Sequence, residues 1–273
     1  MGSNSKAEKI LSAYEKAAQE GIDPRCIPQK LKGPVPIHDE IVYPEYTEEE
    51  QSNWKFLYNR QMSFLPGRAC DEYIDGAKAL NLSSDRIPHL KEISHVFNET
   101  TGWKVARVPG LIDVEDFFGL ISKRIFPSTD YIRTKEELDY TPAPDLFHDI
   151  FGHMPLLTNT NFASFYQQFG IASLNATGID RKYLETLHWF TVEFGLIKKP
   201  EGMRIYGAGI LSSLGEVQHA LSNDVEVREF DPDKIVVQEY DVWHLQPVLF
   251  AIESFEQLED GFKSWTKRKK LLN

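Results

Sequence analysis

The sequence predicts a mainly α domain with a minor antiparallel β component. Three observations predict it: apolar residues recur at helical spacing through most of the chain, capping pairs such as Thr47–Glu50 and Ser213–Glu216 punctuate it, and short alternating segments are few. The 273 residues are 41% hydrophobic and 26% charged, which suits a packed core rather than a disordered chain.

Over residues 6–20, Ile10, Leu11, Tyr14, Ala17 and Ala18 fall at helical spacing, with Gly21 as the stop. Pro24, Pro28, Pro34, Pro36 and Pro44 then deny a continuous helix or central strand, so 22–46 is expected to wrap over the core in extended form. Thr47 and Glu50 open a helix that runs to about Phe64, where Pro66-Gly67 ends it. Helices over about 69–80 and 85–99 follow, the second ending near Gly102. Trp103 to Val108 alternates as a half-buried strand would, Pro109-Gly110 turns the chain, and Asp113 starts a short helix.

Three more helices are expected at about 145–152, 161–175 and 180–197, with Asp145, Asn161 and Asp180 as N-caps. Arg204 to Ile210 is a strand or loop, and Ser213 with Glu216 caps a helix ending near Ser222. Residues 225–230 and 235–242 read as short strands, and a last helix over 247–267 turns Phe250, Ile252, Phe255, Leu258, Phe262 and Trp265 to the core. No repeat or shift of composition divides the chain. The expectation is one domain over 1–273, with 1–46 as helix and wrapping segment and 47–273 as the core.

Thirty Lys and Arg against 41 Asp and Glu give a net charge of −11, which argues against nucleic acid or an anionic membrane as partner. Two cysteines are too few for a disulfide framework, and no apolar run approaches the roughly 20 residues of a membrane span. A cytoplasmic protein is expected. The basic run from Lys263 to Lys270 reads as cations opposing the dipole at a helix C-terminus.

In PAPDLFHDIFGHMP, His148 and His153 lie five residues apart. On an ideal helix that is about 140° of rotation, so both reach one metal only if the helix distorts between them. Gly152 and Pro155 stand where a distortion is accommodated. Taken alone, such a pair is ordinarily two structural histidines, and the spacing differs from that of HExxH zinc proteases. Forty residues on, Glu193 sits among Trp189, Phe190, Val192 and Phe194. A carboxylate in such surroundings needs a cation, a hydrogen-bond network or a metal. Two His and one carboxylate make the facial triad of non-haem iron(II) oxygenases, while zinc hydrolysis at the same residues and a helical interaction protein with core histidines remain alternatives.

The segments YIR at 131–133, TPAPDLFHDIFGHMP at 141–155, FASFYQQFGIASLNA at 162–176, WFTVEFGL at 189–196, YGAGILSSLGEVQHALS at 206–222 and QPVLFAIESF at 246–255 carry a resemblance. In their order and spacing the chain resembles the pterin-dependent aromatic amino acid hydroxylases. Its length is similar to that of bacterial members acting on phenylalanine, with a catalytic domain and neither regulatory nor tetramerisation domain, and a monomer or small homo-oligomer is expected.

The resemblance implies that His148, His153 and Glu193 hold Fe(II), that O2 is co-substrate, and that tetrahydrobiopterin or a related tetrahydropterin supplies two electrons as phenylalanine becomes tyrosine. The product would serve tyrosine supply or phenylalanine breakdown, and tryptophan is the rival substrate. Arg133 is then the residue that grips the substrate carboxylate with its fork, and Asp145 pairs with Arg133 behind the first iron ligand. Thr141, Pro144, Trp189 and Ser212 line the amino acid pocket, while Gly207 and Gly209 let backbone pass close to it. Gly110, Leu111, Ile112 and Phe117 hold the pterin, Phe117 by stacking, and Asp149 stands where animal enzymes carry Glu and reaches the pterin through water. Val242 occupies a position that is acidic in tyrosine hydroxylases, so an unsubstituted ring is expected there. His38, His89, His95, His188, His219 and His244 are expected to be structural or surface residues.

Overall fold

The computed structural model describes residues 24–139, 141, 143–242 and 244–272. The helix expected over 6–20 lies outside the described residues.

Over residues 24–46 the wrapping segment is extended but for short 3-10 turns at Pro24–Cys26 and His38–Glu40. Gln29 bridges Ile112, Ile37 bridges Ala106, and the Leu31 N–H donates to Asp116, so the segment runs along the edge of the later core. Helix α1 (Glu48–Phe64) opens with a full capping box, in which the Glu50 N–H donates to Thr47 Oγ1 and the Thr47 N–H to Glu50 Oε2. Helix α2 spans Asp71–Ala79. Helix α3 covers Leu90–Thr100, starting five residues later than the periodicity suggests. Pro88 disfavours helical backbone at Ile87, and His89 caps the helix instead by accepting from the Lys91 N–H.

Strand β1 (Lys104–Arg107), helix α4 (Val114–Ile121), capped by Asp113, and strand β2 (Ile125–Ser128) form a crossover unit whose strands pair in parallel. Helix α5 (Thr160–Asn175) is capped by Asn159, which accepts from the Asn161 and Phe162 N–H groups, rather than by Asn161. Helix α6 (Ile179–His188) starts after Gly178, whose φ of 56 suits glycine, so Asp180 is not its cap. The helix expected to reach 197 ends at Glu193, and Gly195–Lys199 is strand β3.

A two-residue turn leads to β4 (Gly202–Ile205), and helices α7 (Ala208–Leu211) and α8 (Leu214–Ala220) follow. Ser213 caps α8 from one side only, accepting from the Glu216 N–H at 3.5 Å. Strand β5 (Glu226–Glu229) is as expected, but 235–242 is not a strand: helix α9 covers Pro232–Ile235 and a loop follows. The last expected helix divides into strand β6 (Val248–Ile252) and helix α10 (Phe255–Arg268). Its first five residues are apolar and almost wholly buried, which suits an inner strand, and Ser254 caps the helix behind it.

The expectation of an antiparallel sheet is corrected. The second sheet runs β4-β3-β6-β5, and only the β3–β4 hairpin is antiparallel, since β3–β6 and β6–β5 are joined through longer connections and pair in parallel. Helix α4 packs on α5 and α5 on α10, where Phe169 stacks on Phe262 with centroids 5.0 Å apart. One continuous cluster of buried apolar side chains runs from Ile41 to Leu271 and surrounds the segments that carry His148, His153 and Glu193.

Candidate metal centre

The distortion demanded by the histidine spacing is a π turn. Residues His148–His153 form it, closed by the Met154 N–H donating to Asp149 O, five residues back. The wider turn brings both imidazoles to one side, their rings perpendicular and 4.7 Å apart. Gly152 lets α7 pack close against this turn, because a Cβ there would lie 2.8 Å from Ala208 O. A second π turn, Trp189–Glu193, ends α6 and is closed by the Phe194 N–H on Trp189 O at 2.9 Å. Gly207 brings the following backbone against its last residue, where a Cβ would lie 2.4 Å from Glu193 O.

The two turns aim three donor atoms at one point. His148 Nε2 and His153 Nε2 are 2.9 Å apart, His153 Nε2 is 3.3 Å from Glu193 Oε1, and His148 Nε2 is 3.6 Å from Glu193 Oε2. Donors about 2.1 Å from a single ion lie about 3.0 Å apart at adjacent octahedral positions, so the three fit one face of one metal. The tautomer of His148 fits as well. Ser212 Oγ donates to Ala208 O at 2.8 Å, so at 2.9 Å it accepts from His148 Nδ1–H, leaving the Nε2 lone pair to face the site.

The three groups are strongly coupled electrostatically. Burial works to raise the Glu193 carboxyl, but His153 first, then His148 and His188, outweigh it and hold Glu193 well below the usual carboxylate range. Burial and the facing His153 press His148 down to about 4. Asp149 is held by the Thr129 N–H at 2.8 Å and Ser128 Oγ at 3.3 Å, yet burial pushes its carboxyl up to about 7.

The triad stands in the wall of a mainly apolar cavity of about 210 Å³. Gly110, Leu111, Ile112, Phe117, Pro144, Asp149, Trp189 and Val242 all line this cavity. Arg133, Thr141, Asp145 and Ser212 are not among the residues that line it. Arg133 Nε and Nη2 pair with Asp145 Oδ2 and Oδ1 at 2.9 and 2.8 Å, so one edge of the expected carboxylate fork is already engaged. Burial works to raise Asp145, but Arg133 outweighs it and holds the carboxyl below the usual range.

The sequence reading did not single out several of the lining residues, His188 and Tyr240 among them. His188, expected to be structural or surface, pairs Nε2 with Tyr166 Oη at 3.1 Å and sets Nδ1 3.8 Å from Glu193 Oε1. Its signal was present: it precedes Glu193 by five residues, the same interval that separates His148 and His153. Tyr240, hidden in a segment misread as strand, stacks on Trp189 with centroids 4.8 Å apart.

The family profile described as "Biopterin-dependent aromatic amino acid hydroxylase" matches residues 35–271. The chain belongs to this family. Among these hydroxylases, the phenylalanine-4-hydroxylase of Pseudomonas aeruginosa is 44% identical over 220 residues, covering 81% of this chain and 84% of the relative. A phenylalanine hydroxylase of Chromobacterium violaceum, solved with bound iron(III) and oxidised cofactor 7,8-dihydrobiopterin, superposes with a TM-score of 0.79 at 40% identity, covering 84% of this chain and 85% of that one. The tyrosine 3-monooxygenase of Bos taurus is 39% identical over 84% of this chain, which spans about half of that relative (48%). Among the described residues, no helix of this hydroxylase is long and apolar enough to cross a membrane.

Proposed function

We propose that this hydroxylase is a phenylalanine 4-monooxygenase, converting L-phenylalanine to L-tyrosine with O2 and a tetrahydropterin at a mononuclear Fe(II) held by His148, His153 and Glu193. The observation that carries the reading is the convergence of His148 Nε2, His153 Nε2 and the Glu193 carboxylate on one point of an apolar cavity. Iron and pterin together supply the two-electron activation of O2 that side chains cannot.

The chain's part is orientation. Ser212 keeps the His148 lone pair toward the ion. With its Nε–Nη2 edge on Asp145, Arg133 offers Nη1 to the carboxylate of the amino acid, beside Thr141 and Pro144. Trp189, braced by Tyr240, forms the aromatic wall for the substrate ring. Val242 gives a phenol hydroxyl no partner, which favours phenylalanine over tyrosine. Gly110, Leu111, Ile112 and Phe117 receive the pterin ring, and Asp149 meets it through water. The chain is read as one catalytic unit, supported over residues 41–271 by the continuous core from Ile41 to Leu271.

The test is tyrosine formation from phenylalanine in air with ferrous iron and tetrahydrobiopterin, beside metal-free and pterin-free controls and parallel reactions with tryptophan and tyrosine. Tyrosine that requires both iron and pterin is expected. No product from folded, iron-loaded protein overturns the reading, and preferential turnover of tyrosine or tryptophan reassigns the substrate.

A further inference from the structure

We propose that His38, Asp39 and His95 form a second cation site, suited to zinc, which clips the wrapping segment to α3. Their ligand atoms lie within 4.8 Å of one another. Asp39 Oδ1 is 3.1 Å from His95 Nε2, Asp39 Oδ2 is 3.7 Å from His38 Nε2, and the two imidazole rings are 4.5 Å apart. The two Asp39 separations are already close to the roughly 3.4 Å between donors around a tetrahedral ion, and rotation of these side chains would close the remainder of the set.

Two features separate this cluster from a chance meeting of surface side chains. His38 adopts a left-handed backbone, φ 55, which is unfavourable for a residue with a side chain and turns its ring toward Asp39 and His95. The ring is also anchored from behind. His38 Nδ1 lies 2.8 Å from Ser94 Oγ, a buried hydroxyl that itself accepts from the Val105 N–H at 3.0 Å. When Ser94 Oγ accepts from Nδ1–H, Nε2 keeps its lone pair for an ion, the arrangement in which metal-ligating histidines are held.

Lys91 Nζ lies 3.1 Å from Asp39 Oδ1. Its side chain is 39% exposed and can withdraw, so a dication gains the carboxylate by displacing one mobile ammonium. Two imidazole nitrogens and one carboxylate oxygen suit zinc rather than magnesium or calcium, and such a set binds zinc more tightly than iron(II). Joining residue 38 to residue 95 closes a long loop, the case in which a metal clip restrains the unfolded chain most. The clip lies on the segment whose earlier part, at Pro28, lines the catalytic cavity. The inference does not depend on the reaction proposed above.

Zinc counting tests it. In protein carrying His148→Ala and Glu193→Ala, stripped with chelator and dialysed against micromolar zinc chloride, one zinc per chain is expected, together with a rise in melting temperature. Adding His95→Ala removes both, while His95→Cys, which restores a ligand, retains the zinc. In the otherwise unaltered chain the count falls from two to one on His95→Ala alone, which keeps the test valid if the double variant folds poorly. Zinc content unchanged by His95→Ala, or no zinc outside the catalytic triad, overturns the proposal.

Discussion

Arg133 and Asp145 form a buried bidentate pair, and the same carboxylate that receives the guanidinium also accepts the His148 N–H at 3.1 Å. The side chain proposed to meet substrate and the backbone that starts the metal-binding turn are thus fixed by one group. Asp145→Asn leaves a cation that is 5% exposed without its counter-charge. A loss of roughly 3–5 kcal/mol is expected in denaturant unfolding. A loss below 1 kcal/mol would show that the pair does not hold this region together.

Ser212→Ala removes the acceptor of His148 Nδ1–H without changing an iron ligand. The imidazole is then free to adopt the other tautomer. Iron affinity, measured by competition with a chelator, is expected to fall by roughly 10- to 100-fold while the melting temperature of the metal-free chain changes little. Unaltered affinity would remove Ser212 from the support of the site.

His188→Phe fits an apolar ring among Phe117, Phe118 and Phe169 but strands the buried hydroxyl of Tyr166. The expected cost is roughly 1–3 kcal/mol in urea unfolding. Tyr166→Phe added to it should recover most of that loss, because both polar partners are then gone. Strictly additive losses would contradict the pairing.

Val242→Asp places an acceptor in the cavity wall. The ratio of tyrosine to phenylalanine turnover, measured in competition, is expected to rise about tenfold. An unchanged ratio would mean that this wall does not read the ring.

Burial pushes the Glu216 carboxyl up to about 7, against roughly 4.3 in an unfolded chain. A raised carboxyl pKa means that the folded state binds the proton more tightly, so stability declines as pH climbs from about 4 to 7 and then levels off. Glu216→Gln should therefore stabilise the protein by roughly 1–2 kcal/mol at pH 8 and leave it unchanged at pH 4. Equal effects at both pH values would rule out this titration.

Helix starts were the most legible part of the fold, because Thr47, Asp113 and Ser213 are polar caps whose chemistry is local. Strands β3 and β6 were read as helix, since a short buried apolar run such as Val248–Ile252 has no period of its own. At the site, periodicity counted against the answer. Each π turn holds one residue more than an α turn, so a 3.6-residue period loses phase between His148 and His153 and again between His188 and Glu193. The family motifs, rather than spacing, brought the triad together, and His188 was missed because its five-residue interval meant nothing until the backbone was known.

The wrapping segment anchors the Gly110–Ile112 rim of the cavity and not its triad side. The triad side is built on two short turns set within the core, while the loop at Gly110–Ile112 is tied to the Gln29 backbone by the Gln29 N–H to Leu111 O and the Asp113 N–H to Gln29 O. Residues more than eighty positions away in sequence therefore set the local opening energy of that rim. Because the three ligands sit on other elements, peeling the segment away is expected to loosen that wall before it disturbs them, giving capture of metal and capture of an organic ring separate energetic thresholds.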